Sequence, residues 1–422
     1  MMNILYTVHQ FFPNHYTGTE RLVLNLSKQM QRNGHNIKVL TYGITESDGF
    51  QEKLGFYIKE YTYQGVPVIS VRHKSIPELV SFSVFDEPMK NLFDEILSEE
   101  DIDIIHVCHA MRIGSVIWSA KERGIPVILT LTDFWLMCPR GIAITTEGSL
   151  CDGSDDGEKC LQHCYQGKFW RTKLPDRAHH VKMVLDYAGR VVSATYFLKR
   201  FFEKKGLCQN IKIIRFGIDF RNVRINTKMY DENSVVTIGY LSYLNPHKGA
   251  HLLLEAYQKV KPSNVDIRIY GDAEVNTEYL DNLKKIAHEN PHITFLGKYD
   301  FDEMPDMLDT LDIVAVPSIW WENSPLVLLR SLAHNVPAIV SELGGLTEVI
   351  RDGENGFAFK IRDDHTQSSS VENLAEIIRK ISDNPTVLNL LKNNIHPPAR
   401  IEEEAFNYEC EYFSLLNENK EK

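Results

Sequence analysis

Short apolar runs closed by turn residues, each followed by a helical pattern, recur along this chain of 422 residues. The clearest instance lies between residues 313 and 350. Ile313–Val316 is an apolar run stopped by Pro317 and Ser318, the pattern of a buried strand ending in a turn. Ser324 stands where an N-cap belongs and Pro325 where a first helical residue belongs. Leu326, Leu329 and Ala333 then recur at helical spacing until Asn335 and Pro337 stop the helix. A second apolar strand, Ala338–Val340, feeds the flexible pair Gly344 and Gly345. Strand, helix and strand in this order make a parallel crossover, and open sheets built from such units take ligands beyond the carboxyl ends of their strands. Glu322 and Asn323 fall in that crevice. The free N–H groups of the helix start at Pro325, Leu326 and Val327, with the positive helix end, suit a phosphate there.

The same alternation is legible from the first residues. Asn3–Val8 reads as a strand, followed by a loop to Gly18. Thr19 is placed to cap a helix with Leu22, Leu26 and Met30 on its inner face. Further strands are predicted at 37–40, 66–69, 103–107 and 127–131, a short one at 191–192, and a helix capped by Ser193. After a polar stretch the pattern restarts at Val235, with strands at 265–270 and 293–296. Length and this restart predict two α/β domains. The opening strand–helix turn has no G-x-G-x-x-G, which argues against a nicotinamide site.

A net charge of −11 argues against nucleic acid as the main partner, because phosphate contacts need a basic field. The first residues lack a basic stretch and a small-residue cleavage site, and no run of 18 apolar residues exists. A cytoplasmic protein is the expectation, with association at the inner membrane face left open. Trp170 lies among Arg171, Lys173, Arg177 and Lys182, which would suit peripheral membrane contact. A solvated helix face is the favoured reading, because Asp176 and Asp186 dilute the charge.

Four of the seven cysteines crowd into residues 138–164: Cys138, Cys151, Cys160 and Cys164, with His163 beside the last. A structural zinc, reduced thiols and redox disulfides are the open readings. The acidic run 152–157 falls short of a calcium loop, since His163 stands where a bidentate Glu would be needed.

The stretch around Glu322 resembles the donor-binding segment of the large retaining glycosyltransferase family ("glycosyl transferases group 1") with two Rossmann-like domains, the GT-B fold. That family carries a Glu-x7-Glu motif, its first Glu facing the donor sugar and its second the nucleotide ribose. Glu322 matches the first, while Arg330 stands at the second. Lys248 and Gly249 match a family loop ending Lys-Gly, with Tyr243 where an Arg is usual. Thr17, Gly18, Thr19 and Glu20 are similar to the family's Gly-Gly-x-Glu loop and keep one glycine. Thr132 and Asp133 align with its His-Asp pair.

The resemblance implies an α/β fold of two Rossmann-like domains facing across a cleft. It implies an acceptor-side domain over 1–220, a donor domain over 221–396, and a C-terminal helix over 397–422 crossing back to the first domain. It implies a nucleotide-diphosphate sugar donor and a glycan or lipid-linked acceptor, with no cofactor required for catalysis. Glu322, Asp133 and Lys248 are the expected catalytic residues. Gly18, Tyr243, Lys248, Asn323, Ser324, Pro325, Leu326, Val327, Arg330, Gly344 and Gly345 are the expected donor contacts, and Arg330 would offset the charge missing at Tyr243. The departures at Thr17, Thr132, Tyr243 and Arg330 keep open a degenerate homologue that binds nucleotide sugar, glycan or a partner enzyme without turnover. A nucleotide-sugar epimerase is a third reading.

Overall fold

The computed structural model describes residues 1–16, 18–44, 49–272, 276–361 and 368–420. The chain divides into two compact units, Met1–Gly217 with Arg400–Lys422, and Ile218–Ala399. The crossings thus fall at 217/218 and 399/400, against the expected 220/221 and 396/397.

Among the described residues the first unit holds nine strands: β1 (Asn3–Val8), β2 (Asn36–Tyr42), β3 (Gln51–Lys53), β4 (Phe56–Tyr63), β5 (Val66–His73), β6 (Ile104–Val107), β7 (Val127–Leu131), β8 (Arg190–Ser193) and β9 (Lys212–Ile213). Their order in the sheet is β3-β4-β5-β2-β1-β6-β7-β8-β9. From β5 to β9 all neighbours are parallel. The hairpin of β3 and β4 adds an antiparallel edge. β1 and β7 are buried almost throughout, which is why they read as continuous apolar runs instead of alternating ones.

The second unit is a six-stranded parallel sheet built from β10 (Val236–Leu241), β11 (Val265–Tyr270), β12 (Ile293–Gly297), β13 (Ile313–Val316), β14 (Ala338–Ser341) and β15 (Gly356–Phe359). Its order is β12-β11-β10-β13-β14-β15, the 3-2-1-4-5-6 order of a doubly wound nucleotide-binding sheet. In such a sheet successive strands are laid down outward from the centre, first one way and then the other. The reversal opens a crevice between the two central strands. In the second unit this point lies between β10 and β13. In the first unit the same logic puts it between β1 and β6.

Three helix starts differ from the sequence reading. The helix after β13 runs Leu326–Ala333 with Pro325 as its N-cap residue. Ser324 does not cap it: the ladder opens with the Pro325 carbonyl, which accepts from Leu328 and Leu329 N–H. The helix after β1 runs Gly18–Arg32, so Thr19 lies inside it. Thr195, not Ser193, caps Tyr196–Lys204, because Ser193 is still in β8 and the Thr195 hydroxyl reaches Leu198 N–H at 3.2 Å.

The closing helix, Ile401–Lys420, belongs to the first unit. Glu404, Ala405, Tyr408, Tyr412 and Leu415 make its buried face. This face docks through a hydrogen-bonded chain as well as by apolar contact. Tyr412 Oη lies 3.1 Å from Tyr6 Oη and 2.6 Å from His106 Nδ1. His106 Nε2 lies 2.7 Å from Thr130 Oγ1, which lies 2.9 Å from Tyr408 Oη. Every polar tip in this buried layer is thereby satisfied by another. Glu404 is fully enclosed next to it. One carboxylate oxygen, Oε2, accepts from Gly217 N–H at 2.7 Å, while Oε1 has no hydrogen-bond partner among the described residues. Burial pushes its pKa up to about 8 against the opposing pull of the Gly217 N–H.

An acid raised in this way stabilises the folded unit fully below its unfolded value of 4.5. That contribution is lost as pH rises toward the folded value. The thermal midpoint is therefore expected to fall between pH 5 and pH 8, by an amount on the order of a few kcal/mol in stability. In Glu404→Gln this slope should flatten and the midpoint at pH 8 should rise; an unchanged slope would refute the buried neutral acid.

Candidate functional site

The crevice of the second unit is built from the two loops that leave its central strands. After β10 the chain runs from Ser242 to Gly249, where Pro246–Lys248 forms a short 3-10 turn. After β13 it runs from Pro317 to Pro325. The loops interlock through backbone. Gly249 has φ +75°, and a Cβ there would stand 1.8 Å from the Pro317 carbonyl oxygen. Ile319 N–H donates to the His247 carbonyl at 2.9 Å. The loop after β14 closes the third side: Gly344 has φ +66°, and its Cβ would lie 2.0 Å from the Glu322 carbonyl. At both positions only glycine lets the backbones approach so closely.

This framework holds Glu322, 5% exposed, with the described hydrogen bonds of its side chain all on one oxygen. Oε1 accepts from Lys248 Nζ at 2.8 Å, Ser318 Oγ at 2.7 Å and Trp320 Nε1 at 2.7 Å. Burial alone would push this carboxyl up. The Lys248 charge and the three donors outweigh burial and hold it below its ordinary value. The carboxylate is ionised and its Oε2 is left as an acceptor. The Lys248 ammonium also sits 4.4 Å from the Trp320 ring centroid. His247 packs edge-on against the same indole at 5.1 Å. Burial, then the Lys248 charge, lowers the His247 pKa to about 4, so the imidazole is neutral at physiological pH.

The other sequence-assigned residues divide around this pair. Asn323 is buried beside Glu322, and Ser324 and Pro325 are half-buried. Leu326 and Val327 N–H precede the helical ladder, as first-turn donors do. Gly345 N–H is not a free dipole: it donates to the Glu322 carbonyl at 2.7 Å. Tyr243 is 41% exposed, and its carbonyl accepts from Tyr240 Oη at 3.0 Å. The Arg330 guanidinium stacks 4.1 Å from the Phe301 ring centroid.

In the first unit, Asp133 follows β7, and Gly18 opens the helix after β1 with open space where a Cβ would be. Thr132 Oγ1 donates to the Cys108 carbonyl at 3.0 Å. Thr17 lies outside the described residues. Asp133 is not isolated. Its Oδ1 accepts from Trp135 N–H at 2.8 Å and its Oδ2 lies 3.0 Å from His109 Nε2. Because His109 Nδ1 accepts from Met111 N–H at 3.1 Å, the ring proton belongs on Nε2 and points at Asp133. His9 packs against His109 with ring centroids 4.1 Å apart and the planes tilted by 39°, and lies 3.6 Å from Glu20. Burial first, then the neighbouring His109 and Arg112, push the His9 pKa well down. Its Nδ1 is buried with no hydrogen-bond partner among the described residues. Arg112 reaches over to the His9 carbonyl at 3.3 Å.

His9, His109 and Arg112 carry no signal in the sequence reading, which reached Glu20 only as the last residue of the Thr17–Glu20 loop. His9 directly follows β1 and His109 lies just beyond β6, so the pair straddles this sheet's own reversal point. Strand order, which no local motif encodes, is what brings them together.

Cys138 and Cys160 are buried, Cys151 and Cys164 half-buried, and all four are free thiols. As placed, no three His, Cys, Asp or Glu side chains among the described residues are set to hold an ion between them. Arg177, expected on a solvated face, is buried. Its guanidinium donates to the carbonyls of Phe82 (2.9 Å), Leu136 (3.0 Å) and Trp135. A loop passing under a helix leaves carbonyls that only a multi-donor fork can satisfy together. Among the described residues no helix is long and apolar enough to cross a membrane.

Two doubly wound sheets, each with polar side chains gathered where its strand order reverses, define a two-domain nucleotide-fold protein of the GT-B class. Two family models divide the chain between them: "Glycosyltransferase Family 4" matches residues 16–222 and "Glycosyl transferases group 1" residues 228–396. The chain belongs to the group 1 glycosyltransferases. It is 24% identical over 359 residues to an uncharacterized glycosyltransferase of Methanocaldococcus jannaschii, covering 78% of each chain. It is 22% identical over 415 residues to N-acetyl-alpha-D-glucosaminyl L-malate synthase of Bacillus anthracis, covering 94% of this chain and 93% of the relative. Among solved structures, Anabaena HepE in complex with UDP and glucose superposes with a TM-score of 0.69 at 16% identity, covering 98% of this chain and all of that one.

The Lys248–Glu322 contact is expected to be strongly coupled. Lys248→Met alone leaves a buried carboxylate short of its cation and should cost about 2–4 kcal/mol by denaturant unfolding. Lys248→Met with Glu322→Gln should cost less than the two single changes added, by about 1–3 kcal/mol. Since the Glu322 pKa is depressed, this coupling should be present at neutral pH and shrink as pH falls below its unfolded value of 4.5. Additive costs at pH 7 would refute it.

Proposed function

We propose that this glycosyltransferase moves a sugar from a nucleotide-diphosphate donor to a glycan or lipid-linked acceptor with retention at the anomeric carbon. The observation that carries this reading is the Lys248–Glu322 pair at the reversal point of a 3-2-1-4-5-6 sheet, where such sheets bind nucleotides. The complex of HepE with UDP and glucose supports a nucleotide-sugar donor.

The roles follow from chemistry. In a retaining transfer the bond from the anomeric carbon to the diphosphate breaks through an oxocarbenium-like state, and the acceptor oxygen enters from the same face. Negative charge grows on the leaving diphosphate. Lys248 supplies a fixed cation for it, with the Leu326 and Val327 N–H groups as dipoles. Glu322 Oε2 accepts hydrogen bonds from sugar hydroxyls, its orientation fixed by three donors on Oε1. A residue so restrained loses little freedom when the donor binds, so more of the binding energy goes to alignment. In the first unit, the unpartnered His9 Nδ1 and the Asp133 carboxylate, oriented by His109, are the polar atoms available to hydroxyl groups. The chemistry of this set fits a polyhydroxylated acceptor.

Thermal-shift titration with UDP, GDP and ADP is expected to raise the midpoint for one of the three, because a ligand of the native state stabilises it by mass action. Transfer from the matching nucleotide sugar should fall about 100-fold or more in Glu322→Ala and Lys248→Ala, with folding retained. Nucleotide binding without product in the parent protein would favour the non-transferring reading instead. Full activity in both variants would remove these residues from the mechanism.

A further inference from the structure

We propose that Cys138, Cys151, Cys160 and Cys164 form a tetrathiolate site for a single zinc ion, one that pins the loop following Asp133. This inference is independent of the transferase reading.

All four sulfur-bearing residues line one pocket, although 12 residues separate the first from the second and the pocket draws on both ends of the loop. The space in this pocket, to which other side chains also contribute walls, is about 10 Å³, room for roughly one water-sized sphere. An organic ligand needs a cavity of roughly 300 Å³ or more, so what fits is a single ion. Four-coordinate thiolate sites with Zn–S distances near 2.3 Å are the common structural zinc arrangement.

The surroundings supply the charge balance that such a site requires. Four thiolates around Zn²⁺ carry a net charge of −2. Arg177 is 4% exposed, and its guanidinium donates to three backbone carbonyls. No carboxylate lies within ion-pair distance of it among the described residues, although Asp133 is near enough to be felt. The groups its charge meets are Cys138, Tyr165, Cys160 and Asp133. A buried cation without a bonded counter-ion is costly, and a dianionic cluster beside it offsets that cost. Arg140 adds a second cation, Nη1 standing 4.0 Å from Cys164 Sγ.

The loop also needs a staple. Between Cys138 and Cys164 the regular structure is a single bridge, Ile144 to Leu150, one 3-10 turn and the short helix Glu158–His163. Few of its side chains enter the core, and a long segment with so little apolar burial is held by cross-links or metal. The sulfurs as placed do not yet surround one point, so closure asks the cysteines to rotate about χ1. One contact exchanged in this movement is that of Cys151 Sγ, 3.4 Å from the Gly153 carbonyl. Binding releases the thiol protons to solvent as Zn–S bonds form, with no change in oxidation state. His163 lines the same pocket, but its side chain is 49% exposed beside Glu147, and it stays outside the ligand set.

The test is elemental analysis of the full chain, expressed with zinc and purified under reducing conditions without chelator. About one zinc per chain is expected. Cys151→Ser with Cys164→Ser, chosen as the less buried pair, should abolish it and lower the thermal midpoint. His163→Ala should keep both the metal and the midpoint. Should the double variant fail to fold, cobalt exchange into the parent protein gives the same answer through intense thiolate-to-cobalt and tetrahedral d–d absorption. Metal-free folded protein, an octahedral cobalt spectrum, or an intact mass showing two disulfides would each overturn the proposal.

Discussion

A buried carboxylate accepting three hydrogen bonds on one oxygen is the constraint from which the second unit's crevice follows. Glu322 is tolerable as an ion only because Lys248, Ser318 and Trp320 all donate to Oε1. Those donors come from two different strand ends, so the charge requirement also fixes the two loops against one another. The glycines follow from the same demand. Gly249 lets the Lys248 loop lie on the Pro317 carbonyl, and Gly344 lets the next loop lie on Glu322 itself. Charge, hydrogen bonds and backbone clearance all specify one arrangement, which is the consistency expected where a site must be rigid.

Much of this was legible in the sequence because its signals are local. The strand ending at Val316, the Pro-Ser turn and the apolar stripe from Leu326 name a strand–turn–helix and put Glu322 inside the turn. Lys248 was found from its Lys-Gly context. The particulars that failed depend on who bonds to whom. Ser324 has the right chemistry for a cap, yet the Pro325 carbonyl starts the helix. Gly345 has the right flexibility for a phosphate-facing amide, yet its N–H is engaged by Glu322. Arg177 sits in a mixed-charge helix that reads as solvated, but the carbonyls of Phe82, Trp135 and Leu136 draw it inward. His9 and His109 meet only because β1 and β6 are neighbours, a fact of topology without a sequence pattern.

The two units solve one problem with different chemistry. In the second, the reversal point carries an ion pair under an indole. In the first it carries two imidazoles packed at a tilt, one neutral through burial and one held in a fixed tautomer by Met111 N–H and Asp133.

The closing helix has a consequence for how the molecule is made. Its tyrosines anchor to Tyr6, His106 and Thr130, each three residues before His9, His109 and Asp133 in the loops that leave the same strands. The first unit's core is therefore completed by a segment that leaves the ribosome only after the whole of residues 218–399. The second unit is continuous and can fold as soon as it emerges. The N-terminal sheet must wait, its tyrosine-binding face uncovered, until the last turns of helix arrive. Synthesis order and folding order run opposite to each other in this chain.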